Sequence, residues 1–142
     1  LANAFLKLNM YPEALEHLII ACQLNDQDPE VFINAGNIYA MQGKLDDAAL
    51  SLNTAYKLQP DNFRIRNNLG NINLSLKNLN EAVKFYRLAL MMNNDASAVH
   101  SNLGYCLQQQ GKNSEAIEEF ENALALDPNN GSASASLEIL RK

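Results

Sequence analysis

Carboxamides recur in this sequence at a fixed interval. Asn34, Asn68 and Asn102 stand 34 residues apart, and Asn3, Asn37 and Asn71 form a second set at the same spacing. Asn accounts for 20 of the 142 residues. The excess asks for a reason, because Asn is a poor residue inside a helix. A carboxamide carries both a donor and an acceptor, so it can bond the N–H and C=O of an extended peptide main chain whatever that peptide's side chains are. Each such bond nets only about 0.5–1.5 kcal/mol, so a row of them must act together. Two plainer readings compete. The amides could bond backbone between neighbouring segments, or they could reflect a compositional bias that also fills loops at Asn62, Asn93, Asn94 and Asn129.

Other reactive side chains do not assemble. His17 and His100 have no nucleophile or ligand at a useful spacing and read as packing residues. Cys22 and Cys106 fall on apolar positions and read as buried thiols. Met91 and Met92 also read as packing, and Glu115, Glu118, Glu119 and Glu121 as a solvated helix face. No phosphate loop, paired catalytic carboxylates or nucleophile–base pair is visible, so no catalytic residue, metal site or cofactor is expected. The net charge of −5 disfavours nucleic acid and anionic lipid as partners. The longest apolar runs, 18–22 and 88–92, are too short to enter a bilayer as a span. No signal-like start is seen, and the cytoplasm is the favoured compartment.

The elements that must position these amides follow from the same 34-residue period. Ala14, Ala48, Ala82 and Ala116 form one column, and Ala21, Ala55, Ala89 and Ala123 another. Leu24, Leu58, Met92 and Leu126 form a third, and Glu13, Asp47, Glu81 and Glu115 an acidic fourth. A small pair recurs as Leu1-Ala2, Ala35-Gly36, Leu69-Gly70 and Leu103-Gly104. The period divides the chain into 1–28 (incomplete), 29–62, 63–96 and 97–130. The remainder, 131–142, is a capping helix or the start of a further repeat. Each repeat predicts two antiparallel helices. The first helices are placed at 1–8, 29–42, 63–76 and 97–110, and the second at 12–25, 46–58, 80–92 and 114–126. The acidic column then meets the positive end of each second helix. Gly43 and Gly111 suit the turn between helices. The Ala columns, with Gly36, Gly70 and Gly104 opposite, let the helices of a pair approach. Leu52, Tyr86 and Phe120 are expected to fill space between successive repeats.

The residues 97–130 carry Leu103-Gly104, Ala116-x₃-Phe120, Ala123 and Asp127-Pro128. This pattern resembles the tetratricopeptide repeat (TPR) family, with His100 and Leu107 standing where the family favours Trp and Tyr. The resemblance implies an all-α, right-handed superhelical solenoid of antiparallel helix pairs, spanning 1–142 as one excerpt of a longer chain. It also implies that the first helices line a concave groove. Groove positions are then Asn3, Asn34, Asn37, Arg64, Asn67, Asn68, Asn71, Asn102, Tyr105, Gln108 and Gln109, with Ile33 and Ser101 in the same rows. The Asn34–Asn68–Asn102 column resembles the asparagine ladder of the TPR region of O-linked N-acetylglucosamine transferase.

The implied function is a non-enzymatic protein–protein interaction module holding an extended peptide of a partner. The alternative is an assembly scaffold acting through self-association at its ends or through its convex faces. Less favoured are the TPR part of an enzyme and a carboxylate clamp for chaperone C-termini, to which only Asn3, Asn34 and Arg64 correspond. Asn68 stands where the clamp's last cation belongs, and charge-assisted capture suffers from that loss.

Overall fold

The computed structural model describes residues 27–142, together with Glu16 and Ile20. The expected helix at 1–8, and that at 12–25 apart from the helical Glu16 and Ile20, lie outside the described residues, and with them Asn3, His17 and Cys22. Seven helices and no strand occur among the described residues. They are α1 (Pro29–Met41), α2 (Leu45–Leu58), α3 (Phe63–Ser75), α4 (Leu79–Met92), α5 (Ser97–Gln109), α6 (Asn113–Leu126) and α7 (Gly131–Leu140). The tail is therefore helical. The chain divides into two compact units, 1–65 and 66–142, with the boundary inside the first turn of α3.

Capping chemistry explains where these helices start and stop. Asp28 accepts the Glu30 N–H ahead of Pro29, so α1 begins with one orphan donor satisfied and a proline where no donor is needed. Asn62 Oδ1 accepts from Ile65 N–H at 3.2 Å, and Asn130 Oδ1 from Ala133 N–H at 3.0 Å. Asn62 and Asn130 are thus capping residues. The second helices carry acid in their first turns, at Asp46 and Asp47, Glu81 and Glu115. They end on a bond from the next N–H back to Ala55, Ala89 or Ala123.

The turn from first to second helix is built three times in one way. Lys44 N–H reaches Tyr39 O, Asn78 N–H reaches Asn73 O and Lys112 N–H reaches Leu107 O, at 2.8–2.9 Å. One residue earlier, Gly43, Lys77 and Gly111 bond back three residues at 3.0 Å. This paired pattern closes a helix only if its pivot residue is left-handed. Gly43 and Gly111 sit at φ +76° and +78°. Lys77 holds the same position at φ +63°, where an L-residue costs about 1–2 kcal/mol.

The core follows the columns. Ala48, Ala55, Ala82, Ala89, Ala116 and Ala123 are fully buried. The large side chains fill the gaps inside their helix pairs, and Tyr86 also lies beside Asn102 and Cys106 of the next repeat. Leu52 lies against Gly36, Tyr86 against Gly70 and Phe120 against Gly104, each inside its own helix pair. A Cβ on Gly70 would lie 2.6 Å from the Tyr86 ring, and one on Gly104 2.8 Å from Phe120. The glycines therefore make room for a large residue of the partner helix. Cys106 is buried, as read from sequence. Met91 and Met92 are not core: they are 79% and 44% exposed.

His100 is buried, and its environment differs from simple packing. Nδ1 lies 2.6 Å from Glu119 Oε2 and Nε2 lies 3.0 Å from Asn94 O. Glu119 thus leaves the solvated row to which the sequence assigned it. Its neighbours Glu115 and Glu121 do reach outward, pairing with Arg87 at 3.1 Å and Arg141 at 2.8 Å.

Candidate peptide-binding surface

The predicted site residues fall in both units, and each unit presents its own set. In the first, Asn34 and Asn37 lie half-buried on α1, and Arg64 is exposed at the start of α3. Arg64 Nη1 bonds Glu30 Oε1 at 2.9 Å, with both side chains more than half exposed. The guanidinium is shared with that carboxylate, which lowers its value as an anion receptor. Ile33, placed in the same row by the register, is fully buried and offers nothing to a guest.

In the second unit α3 and α5 run close enough for their amides to meet. Asn102 Nδ2 donates to Asn71 Oδ1 at 3.4 Å, and the Tyr86 hydroxyl donates to the same oxygen at 2.6 Å. The reason is geometric. Tyr86 lies across Gly70, and its ring is long enough to deliver the hydroxyl to the neighbouring Asn71. Burial is the main cause that pushes the phenol above its ordinary pKa of 10, so it stays a donor here. The plainer sequence reading of the repeated amides expected a bond to backbone; the bonding here, at Asn71 and Asn102, runs between side chains of neighbouring elements.

The remaining predicted residues separate by burial. Asn68 and Gln108 are half-buried, Tyr105 is 45% exposed and Gln109 is exposed. Asn67 Oδ1 is buried with no partner among the described residues. Ser101, from the same row as Asn67, is buried.

Tyr105 and Gln109 help line a cavity of about 180 Å³ together with Leu74, Lys77 and Leu79. The sequence reading did not include the last three. The available signal was Lys77, which interrupts the glycine column of Gly43 and Gly111. Neither α3 nor α5 carries an Asp or Glu. The carboxylates of the second unit lie on α4, α6 and α7 and at Asp95 and Asp127. Such a surface can bond a peptide main chain through amides and accept an apolar side chain beside Tyr105. Among the described residues no group of His, Cys, Asp or Glu is placed to hold a metal ion, and no helix is long and apolar enough to cross a membrane.

Comparisons with known proteins agree with this architecture. Models described as TPR repeat match residues 2–43 and 36–77, and models described as tetratricopeptide repeat match 63–95 and 97–130. No curated protein matches the chain in sequence. Among solved structures, MamA 41-end from Desulfovibrio magneticus RS-1 superposes with a TM-score of 0.94 at 21% identity, covering 99% of this chain and 79% of that one. YrrB, described as a TPR protein with an unusual peptide-binding site, gives 0.89 at 22% identity, over 98% and 72%. The first TPR of Spaghetti (RPAP3), bound to HSP90 peptide SRMEEVD, gives 0.78 at 28% identity, over 81% and 91%. Matched repeats along nearly its whole length, in helix pairs of this geometry, make the chain a member of the tetratricopeptide repeat family.

Proposed function

We propose that this chain is a non-enzymatic protein–protein interaction module that binds an extended peptide segment of a partner. Its first helices supply the contacts. The observation that carries the reading is the acid-free, amide-rich surface of α3 and α5, with the half-exposed Tyr105 at its edge. In the second unit Asn68, Asn102, Tyr105 and Gln109 are the contact residues. Asn71 contributes by holding Asn102. In the first unit Asn34 and Asn37 offer the equivalent amides. Similarity to YrrB and to the RPAP3 repeat, whose descriptions name peptide binding, supports the same class of function.

The carboxylate clamp receives less support. Arg64 is engaged by Glu30, and Asn68 replaces the last cation. The scaffold reading would use exposed apolar residues such as Leu50, Met91 and Ile139. These are scattered over separate helices, Met91 with its exposed neighbour Met92, which is ordinary for a protein surface.

The test is selection of binders from a random dodecapeptide display library, followed by titration of the best peptide. Asn68→Ala combined with Asn102→Ala should weaken that peptide roughly tenfold, about 1.4 kcal/mol, with the helical circular dichroism signal unchanged. Unchanged affinity in the double variant removes the groove reading.

A further inference from the structure

We infer that the cavity beside Tyr105 takes one apolar side chain of the bound segment while Lys77 holds a carboxylate next to it. The second unit would therefore select segments in which an acidic residue adjoins an apolar one. This rests on the peptide-binding reading above and deepens it.

Three observations meet at this place. The first is size and lining. Leu74, Leu79 and Tyr105 supply apolar surface around about 180 Å³, and an apolar cavity of ~150 Å³ holds a benzene-sized guest. One aliphatic or phenyl side chain fills it. The second is charge. Lys77 lines the cavity and forms no ion pair among the described residues, whereas Arg64, Arg87 and Arg141 all do. The nearby Glu81 lies 3.9 Å from Lys84. With no acid on α3 or α5, a carboxylate brought to this rim meets a cation and no helix-borne repulsion from those two elements. Residues 1–62, by contrast, hold three basic and eight acidic side chains and carry the whole net charge, so an acidic segment is disfavoured there.

The third observation is the backbone. Gly43 and Gly111 build the same turn without strain, so the turn does not require a lysine. Lys77 holds a left-handed conformation that glycine accepts freely. What the lysine adds is its side chain, which lines the cavity.

The experiment repeats the dodecapeptide selection with the wild-type chain, Lys77→Gly and Tyr105→Ala. Lys77→Gly keeps the turn geometry, and its thermal unfolding is measured alongside to confirm the fold. Wild type should enrich peptides with Asp or Glu beside Leu, Met, Val or Phe. Lys77→Gly should lose the acidic preference and keep the apolar one. Tyr105→Ala should lose the apolar preference. The best acidic peptide, titrated by fluorescence anisotropy, should bind Lys77→Gly about 5–10-fold more weakly at low salt and show a reduced salt dependence. If wild type enriches peptides without an acidic bias, or Lys77→Gly enriches the same sequences, the inference is overturned and the peptide-binding reading stands. If wild type enriches no peptide over background, both fall together.

Discussion

Gly70→Ala probes the packing rule that organises each helix pair, because its sign depends on one ring. An added Cβ would lie 2.6 Å from Cδ1 and Cε1 of Tyr86 and 3.0 Å from Cζ. Carbon atoms rest at ~3.5–4.0 Å, so the ring must retreat by about 1 Å. It has little freedom to do so, being fully buried and held through its hydroxyl by Asn71 at 2.6 Å. Overpacking of this kind costs about 1–3 kcal/mol. Stretching the hydroxyl bond adds about 0.5–1.5 kcal/mol. Helix propensity opposes both, since alanine is better than glycine by about 1 kcal/mol. The balance is a net loss of roughly 1–3 kcal/mol, read as a lowered urea midpoint followed by circular dichroism at 222 nm. In a Tyr86→Ala background the obstruction is gone and only propensity remains. There Gly70→Ala should stabilise by about 0.5–1 kcal/mol. The substitution thus reverses sign between two backgrounds. A neutral or stabilising Gly70→Ala in the wild-type chain would refute the argument.

The remaining predictions concern buried polar groups. Burial pushes the Cys106 thiol from its ordinary 9.0 up to about 11, and the Tyr86 phenol is raised above 10 by burial first and the nearby Cys106 charge second. Both folded forms hold their protons longer than the unfolded chain, so the unfolded state binds fewer protons above pH 9. Stability should be fully present below pH 9 and fall as pH rises through 9 to 11, and Cys106→Ala should flatten that limb in pH-dependent urea unfolding. Glu119→Ala would leave His100 Nδ1 without its 2.6 Å partner in a buried site, at a cost of about 1–3 kcal/mol. Glu118→Ala, on the exposed side of the same helix, should change stability by less than about 0.5 kcal/mol. Equal melting temperatures for these two variants would show that the carboxylate does not serve the histidine.

How much of this was legible in the sequence depended on whether a residue's role follows from its period. The 34-residue interval placed α1 to α6 to within a residue, because Ala82 and Ala89 must face inward together on one helix wherever the pair is close-packed. It also marked the first-helix rows. It could not say what each amide does, because that is decided by the residue opposite. Asn37 and Asn71 occupy one column. Opposite Asn71 the second helix supplies Tyr86, whose hydroxyl takes the amide oxygen. At the equivalent position the first unit has Leu52, which has no hydroxyl to give Asn37, and the last repeat has Phe120, with Tyr105 where the amide stood. Where a tyrosine faces the column, the amide oxygen is held as a structural strut; Leu52 and Phe120 cannot make that bond. Lys77 is the complementary case. Its column is glycine on either side, so the period assigns it only a turn. The turn's left-handed pivot, seen in three dimensions, separates what the backbone needs from what the side chain adds. Binding determinants in this chain are therefore sought where a repeat departs from its own columns, and Lys77 and Tyr105 are two such departures lining one cavity.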